Sequence, residues 1–267
     1  MKVVIAIDSF KGSISSPDAG AAIREGIHRV FPDAEVFVRP LADGGEGTVE
    51  ALAIGMHGRI RTVTVTGPLG TPVEAAYGIL YDSKTAIIEM SAAAGITLVD
   101  EPNRDAIVNG CRNFIVGIGG SATNDGGIGM LQALGYEFRD NNGQPVSFGA
   151  NGLSKIATIH DTHVLPDLKD CHFKIACDVT NPLCGPQGCS AIFGPQKGAT
   201  PDMIRQMDQW LTTYANITRE KYPNADPDHP GTGAAGGLGF AFLSYTNAIL
   251  QSGIQIIYIF CIHSQSG

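Results

Sequence analysis

The side chains best placed for chemistry fall in one stretch, Phe114-Ile115-Val116-Gly117-Ile118-Gly119-Gly120-Ser121-Ala122-Thr123-Asn124-Asp125-Gly126-Gly127. An apolar, β-branched run feeds a loop of five glycines, with Ser121, Thr123, Asn124 and Asp125 set among them. Ile128 to Leu134 then reads as a helix. A strand that enters a glycine-rich loop and opens a helix gathers unpaired backbone N–H groups at the helix's positive end. Glycine also lets the backbone approach an anion closely. The chemistry indicated is phosphate binding, with Gly119, Gly120, Ser121, Thr123, Asn124 and Asp125 as candidate contacts. A lone glycine pair would be read as a tight turn; this many glycines and four polar side chains favour the anion site.

Acids at strand ends form a second set of candidates. Met1 to Asp8 reads as a strand running into an acid, followed by the loop Ser9-Phe10-Lys11-Gly12-Ser13. Ser16 reads as a helix N-cap with Pro17 at the first helical position. Ile23, Ile27, Val30 and Phe31 supply an apolar face at helical spacing, so the helix runs to about residue 31. Glu35 to Arg39 is a second strand. It leads into Leu41-Ala42-Asp43-Gly44-Gly45-Glu46-Gly47-Thr48, a second glycine-rich acidic loop, and then a helix through Met56. Two consecutive β-loop-α units thus place Asp8 and Asp43 just past strand ends. In open parallel sheets that edge is where ligands bind, although aspartate there is also an ordinary cap or turn former.

The elements that must position these residues follow from the rest of the chain. From Arg59 the pattern alternates as β, Gly67-Pro68-Leu69-Gly70 is a turn, and strands follow at 73–80 and 85–90. A domain boundary is expected here: residues 1–70 begin a Rossmann-like domain, and 71–253 form a second α/β domain carrying the glycine-rich loop. Ser91 to Gly95 reads as a small-residue helix or close-packed loop. Tyr136–Arg139 and His172–Asp178 read as strands, the second again ending in an acid, Asp178. Met203–Lys221 is an amphipathic helix, and Gly236 opens a helix to about Leu250. Ile254 to Ile262 reads as a final strand, with a polar ending after it. Alternating strand and helix patterns make the fold α/β.

Composition narrows the function. With 267 residues, 43% of them hydrophobic, the chain can bury a large core and leans towards two domains. A formal charge of −8 with no Lys/Arg cluster excludes a general nucleic-acid surface. The N-terminal apolar run is too short for a signal peptide, and no run approaches a membrane span, so a cytoplasmic protein is expected. The cysteines at 111, 171, 177, 184, 189 and 261 are irregularly spaced and read as reduced thiols; Cys184 and Cys189 lack the partners of a zinc site. His160 and His163 read as solvated loop residues.

Two nucleotide chemistries remain open. A Walker A loop fails: its nearest approach, Gly78 to Thr85, has Ser83 in place of the second glycine. Gly117-Ile118-Gly119-Gly120-Ser121-Ala122 satisfies G-x-G-x-x-A after a strand, with Glu137 and Asp140 where a ribose-binding acid would sit. An NAD-dependent hydroxy-acid oxidoreductase is therefore an alternative. The Asn124-Asp125 pair argues the other way: a carboxylate beside phosphates is repulsive unless a cation such as Mg²⁺ bridges them. That fits ATP better than NAD.

Seven motifs together carry a family resemblance: Asp8 to Ser13, Ala42 to Thr48, Gly67 to Gly70, Gly117 to Gly127, Cys177-Asp178-Val179-Thr180-Asn181-Pro182-Leu183, Phe193-Gly194-Pro195-Gln196-Lys197-Gly198, and Gly233-Ala234-Ala235-Gly236-Gly237. In this order they resemble the type I glycerate kinases, bacterial enzymes that phosphorylate glycerate with ATP. The resemblance covers nearly the whole chain to about Gly253. It implies two α/β domains with the active site between them, Mg²⁺-ATP as donor and glycerate as acceptor. Two departures are expected to matter: the family has a further segment between Asp105 and Ala106, and it continues well beyond Gly253. On that footing the resemblance implies a chain that turns over poorly or is a non-catalytic remnant, and whose open sheet face gives either low solubility or a homodimer that hides it.

The expected mechanism is phosphoryl transfer to a hydroxyl of a small acid, which is mostly positioning and charge neutralisation. The Gly117–Gly127 loop, with Ser9, Gly44 and Gly45, would hold substrate and phosphate oxygens. Lys11 would bind a carboxylate or the transferring phosphoryl group, and Lys197 is a second cation. Asp8, Asp43 and Asp178 supply the base and a Mg²⁺ ligand, with the roles unassigned among them.

Overall fold

The computed structural model describes residues 1–10, 13–42, 44–45, 47–66, 72–80, 83–90, 106–253 and 255–256. Strand β1 (Lys2–Ile7), helix α1 (Ser16–Val30) and strand β2 (Glu35–Pro40) make a βαβ unit, its strands parallel with Val3 opposite Val36 and Ile5 opposite Val38. The α1 cap is Ser15, one residue earlier than the sequence indicates. Its hydroxyl accepts from the Asp18 amide at 3.2 Å. Ser16 is buried and used otherwise: its Oγ donates to the Ile7 carbonyl at 2.6 Å and accepts from the Leu41 amide at 3.2 Å. One hydroxyl therefore ties together the carboxyl ends of both strands.

Helix α2 (Thr48–Gly55) leads into a six-stranded sheet of β3 (Arg59–Thr66), β4 (Pro72–Leu80), β5 (Thr85–Glu89), β6 (Asn113–Gly117), β9 (His172–Ala176) and β10 (Ala248–Gln251). Its order is β10-β9-β6-β5-β4-β3; the first four are mutually parallel, and β4 pairs antiparallel with both β5 and β3. The chain is thus α/β with a parallel-dominated sheet. The boundary expected after residue 70 falls inside the β3–β4 antiparallel pair.

Period-two alternation sends side chains to both faces of this sheet. Ile87 and Ile115 pack with Val49 and Leu52 of α2 and with Ile256. Ala86, Ile88, Phe114 and Val116 face the larger core, beneath α3 (Ile128–Ala133), α6 (Pro201–Lys221) and α7 (Leu238–Tyr245). Phe114 and Phe173, paired across β6 and β9, stack with ring centroids 4.7 Å apart. A small hairpin-like sheet, β7 (Glu137–Arg139) with β8 (Thr158–His160), and short helices α4 (Ala150–Leu153) and α5 (Cys189–Phe193) complete the second layer.

The sequence and the structure part company at the C-terminal end. Helix α7 stops at Tyr245 rather than near Leu250, and Ala248–Gln251 becomes β10, because β9 offers a parallel partner with Leu250 opposite Ile175. The strand expected from Ile254 is not formed where it is described: Gly253, Gln255 and Ile256 lie in a helical turn capped by Ser252. The expected reading of Ser91–Gly95 lies outside the described residues. No helix among them is long and apolar enough to cross a membrane.

Candidate active site

A cavity of about 260 Å³ opens at the carboxyl ends of β6 and β9. Its floor is Gly119, Gly120 and Ser121 past β6, its sides are Asp178 past β9 and Gly45 past β2, and Phe193, Gln196, Lys197, Ala234 and Ala235 close it. This is the strand edge at which open parallel sheets hold ligands. The loop after β2 is pressed into the larger sheet. Gly119 N donates to Gly44 O at 3.0 Å, and a Cβ at Gly117 would stand 2.4 Å from that same carbonyl, so only glycine permits the approach.

Lys197 supplies the cation. It ends the short 3₁₀ turn Pro195–Lys197, and its Nζ donates to Ser121 Oγ at 2.7 Å and to the Thr123 carbonyl at 2.6 Å. Burial pushes its pKa down to about 8, with Cys189 and Asp125 pulling the other way. A partly dehydrated ammonium beside a glycine floor is ready to pair with an incoming anion.

The inner half of the glycine-rich loop is turned away from the cavity. Asp125 is buried, and its two oxygens accept from the Gly127 amide at 3.1 Å and the Gly129 amide at 3.3 Å, which caps α3. Burial raises its pKa, against the pull of those two amides and of Lys197. Asn124 is also buried; its Nδ2 donates to Ser190 Oγ at 2.8 Å, tying the loop to α5. Its Oδ1 is buried without a hydrogen-bond partner. Of the amides at the start of α3, which a dinucleotide fold would offer to a pyrophosphate, those of Gly127 and Gly129 are therefore taken by the protein's own carboxylate.

The structure thus brings together Gly45, Gly119, Gly120, Ser121, Asp178 and Lys197, with Gly44 directly behind Gly45. Thr123, Asn124 and Asp125 form the layer beneath. Asp178 is exposed at the rim, and its Oδ1 accepts from the Gly253 amide at 3.1 Å. Asp8 and Ser9 stand past β1, the Asp8 carboxylate accepting from the Ser9 amide at 2.6 Å; Ser9 Oγ lies near Gly47. Lys11 and Asp43 lie outside the described residues.

Several residues at or behind the cavity escaped the sequence reading. Glu89 ends β5 and is buried, and its carboxylate accepts from the Gly47 amide at 3.3 Å and the Val49 amide at 2.9 Å. It does for α2 what the glycine at its N-cap cannot. The rule that singled out Asp8 and Asp178, an acid closing a strand, applies equally to Glu89. Phe193, Gln196 and Ala235 belong to motifs rich in Gly and Pro, where no periodicity marks a lining residue.

Fold and cavity together define an α/β protein with an anion-receptive, glycine-floored cleft at a parallel sheet's carboxyl edge. Over residues 3–263 the chain matches the Glycerate kinase family, and it belongs to that family. It is 47% identical over 272 residues to a glycerate 2-kinase of Escherichia coli (strain K12), covering 96% of this chain and 71% of that protein. It is 44% identical to a glycerate kinase of Bacillus subtilis (strain 168), with 96% of this chain and 71% of the relative covered. The crystal structure described as that of a glycerate kinase 2 from Salmonella typhimurium LT2 superposes with a TM-score of 0.90 at 45% identity, covering 98% of this chain and 74% of that one. These relatives favour the kinase over the oxidoreductase reading.

Proposed function

We propose that the protein transfers the γ-phosphoryl group of ATP to a hydroxyl of glycerate in the cytoplasm. The observation that carries the reading is the Lys197 ammonium, held by Ser121 and the Thr123 carbonyl over the Gly119–Gly120 floor. Gly119, Gly120 and Ser121 would receive phosphate oxygens, and Lys197 would pair with their charge. The donor set also fits Mg²⁺. Among the described residues no group of three potential ligands gathers, and Mg²⁺ asks for only one or two carboxylates alongside phosphates and water. Asp178 at the rim would be that carboxylate; the ion, once bound with ATP, neutralises developing phosphate charge.

On this reading the loops past β1 and β2 bring the acceptor. Asp8, Ser9, Gly44 and Gly45, with Lys11 and Asp43, would hold glycerate and take up its hydroxyl proton. With the two α/β units divided near residue 70, the first would carry the acceptor loops after β1 and β2, and the second the phosphate loop after β6. Glu89 then acts as a tether between them. The β1–β2 sheet has only two strands among the described residues and exposes Val4 at 66%, which supports a homodimer through this surface. Lys11→Ala tests the acceptor assignment: turnover should fall by at least ~10²-fold with the fold intact, and near-normal turnover would place Lys11 outside the reaction.

A further inference from the structure

The turn Ala234–Gly237 passes through three successive left-handed residues, Ala235 (φ 54°, ψ 40°), Gly236 (φ 68°) and Gly237 (φ 97°). Two of them are glycine for a visible reason. A Cβ at 236 would stand 2.0 Å from the Thr123 carbonyl oxygen, and one at 237 would stand 2.6 Å from Gly126 Cα. The turn is pressed flat against the glycine-rich loop, and Gly126 N donates to Gly236 O at 2.9 Å. Ala235 shares the same left-handed backbone and yet carries a methyl group. Glycine would adopt that conformation at lower cost. A side chain kept at a strained position points to a use for it.

Ala235 is half-buried and lines the cavity along with Ile118, Val179 and Phe193, while Ser121 and Lys197 supply the polar lining. A ligand suited to this mixture has an anionic part and a flat, largely apolar part, as a nucleoside triphosphate does. We propose that Ala235 is a specificity-determining residue, its methyl forming the wall against which the nucleobase packs. The inference rests on the phosphotransfer reading above and deepens it, by separating base recognition from phosphate recognition in one cavity.

The test is calorimetric binding to the full chain of Mg²⁺-ATP and of inorganic triphosphate, which keeps the phosphates and lacks the base. The variants are Ala235→Gly, which removes the methyl, and Ala235→Asn, which fills the wall with a residue that tolerates a left-handed backbone. Ala235→Gly should weaken ATP by roughly three- to tenfold, the scale of one methyl group in an apolar contact. Ala235→Asn should weaken it more. Triphosphate affinity should stay within about twofold by the same logic, and the melting temperature of Ala235→Gly should equal or exceed the parent's. ATP affinity unchanged in Ala235→Gly, or triphosphate weakened as much as ATP, overturns the inference while leaving the kinase reading intact. A parent chain that binds neither ligand overturns both.

Discussion

Lys197 Nζ and Ser121 Oγ meet at 2.7 Å although 76 positions separate them in the chain. That contact joins the glycine-rich loop to the turn after α5 and fixes a positive charge in the cavity lining. Lys197→Met should weaken Mg²⁺-ATP binding by about 10- to 100-fold, the scale of a hydrogen bond to a charged group. Lys197→Arg should recover part of it. Equal affinity in the parent and Lys197→Met, measured by calorimetry, would remove Lys197 from the phosphate site.

The same residue predicts a pH dependence. With its pKa pushed down to about 8 by burial, Lys197 begins to lose its charge near that pH in the free protein. A bound phosphate favours the ammonium and raises the value in the complex. The Lys197 contribution to affinity is therefore complete below about pH 8 and is lost as pH rises through the complex's higher pKa. ATP affinity between pH 7 and 10 should fall in the parent and stay flat in Lys197→Met. A flat parent profile would contradict this.

Asp125 was a phosphate candidate in the sequence, and in the fold its carboxylate caps α3 through Gly127 and Gly129. Asp125→Ala leaves two buried amides without a partner and should cost about 3 kcal/mol of stability. Denaturant unfolding checks it; a loss below about 0.5 kcal/mol would show that the cap is dispensable.

Much of the architecture was legible because its signals are local. Alternation marked β3, an apolar β-branched run marked β6, a Ser-Pro pair marked the start of α1 to within one residue, and strand-glycine-helix order marked the phosphate loop. What was not legible depends on partners distant in sequence. Ala248–Gln251 is a strand only because β9 lies beside it. Ser190 and Glu89 acquire their places from hydrogen bonds with Asn124 and with Gly47 and Val49, and Ala235 from the packing of its neighbours Gly236 and Gly237 against the glycine-rich loop. No periodicity within a short window encodes those.

Close backbone contact between the loops makes a further prediction. Gly117→Ala would set a Cβ 2.4 Å from Gly44 O, with no flexible side chain to move aside. It should cost about 1–3 kcal/mol and weaken substrate binding, because the loop after β2 is displaced. A variant with parental melting temperature and KM values would show that the two loops do not need this approach.

The most direct test of the central claim is ³¹P NMR of the purified chain with Mg²⁺-ATP, with and without glycerate, alongside an absorbance assay with NAD and glycerate. The account predicts one ADP and one phosphoglycerate formed together, only when glycerate is present, and no NADH. ADP release that ignores glycerate, absence of any phosphoglycerate, or growth of NADH absorbance would contradict it.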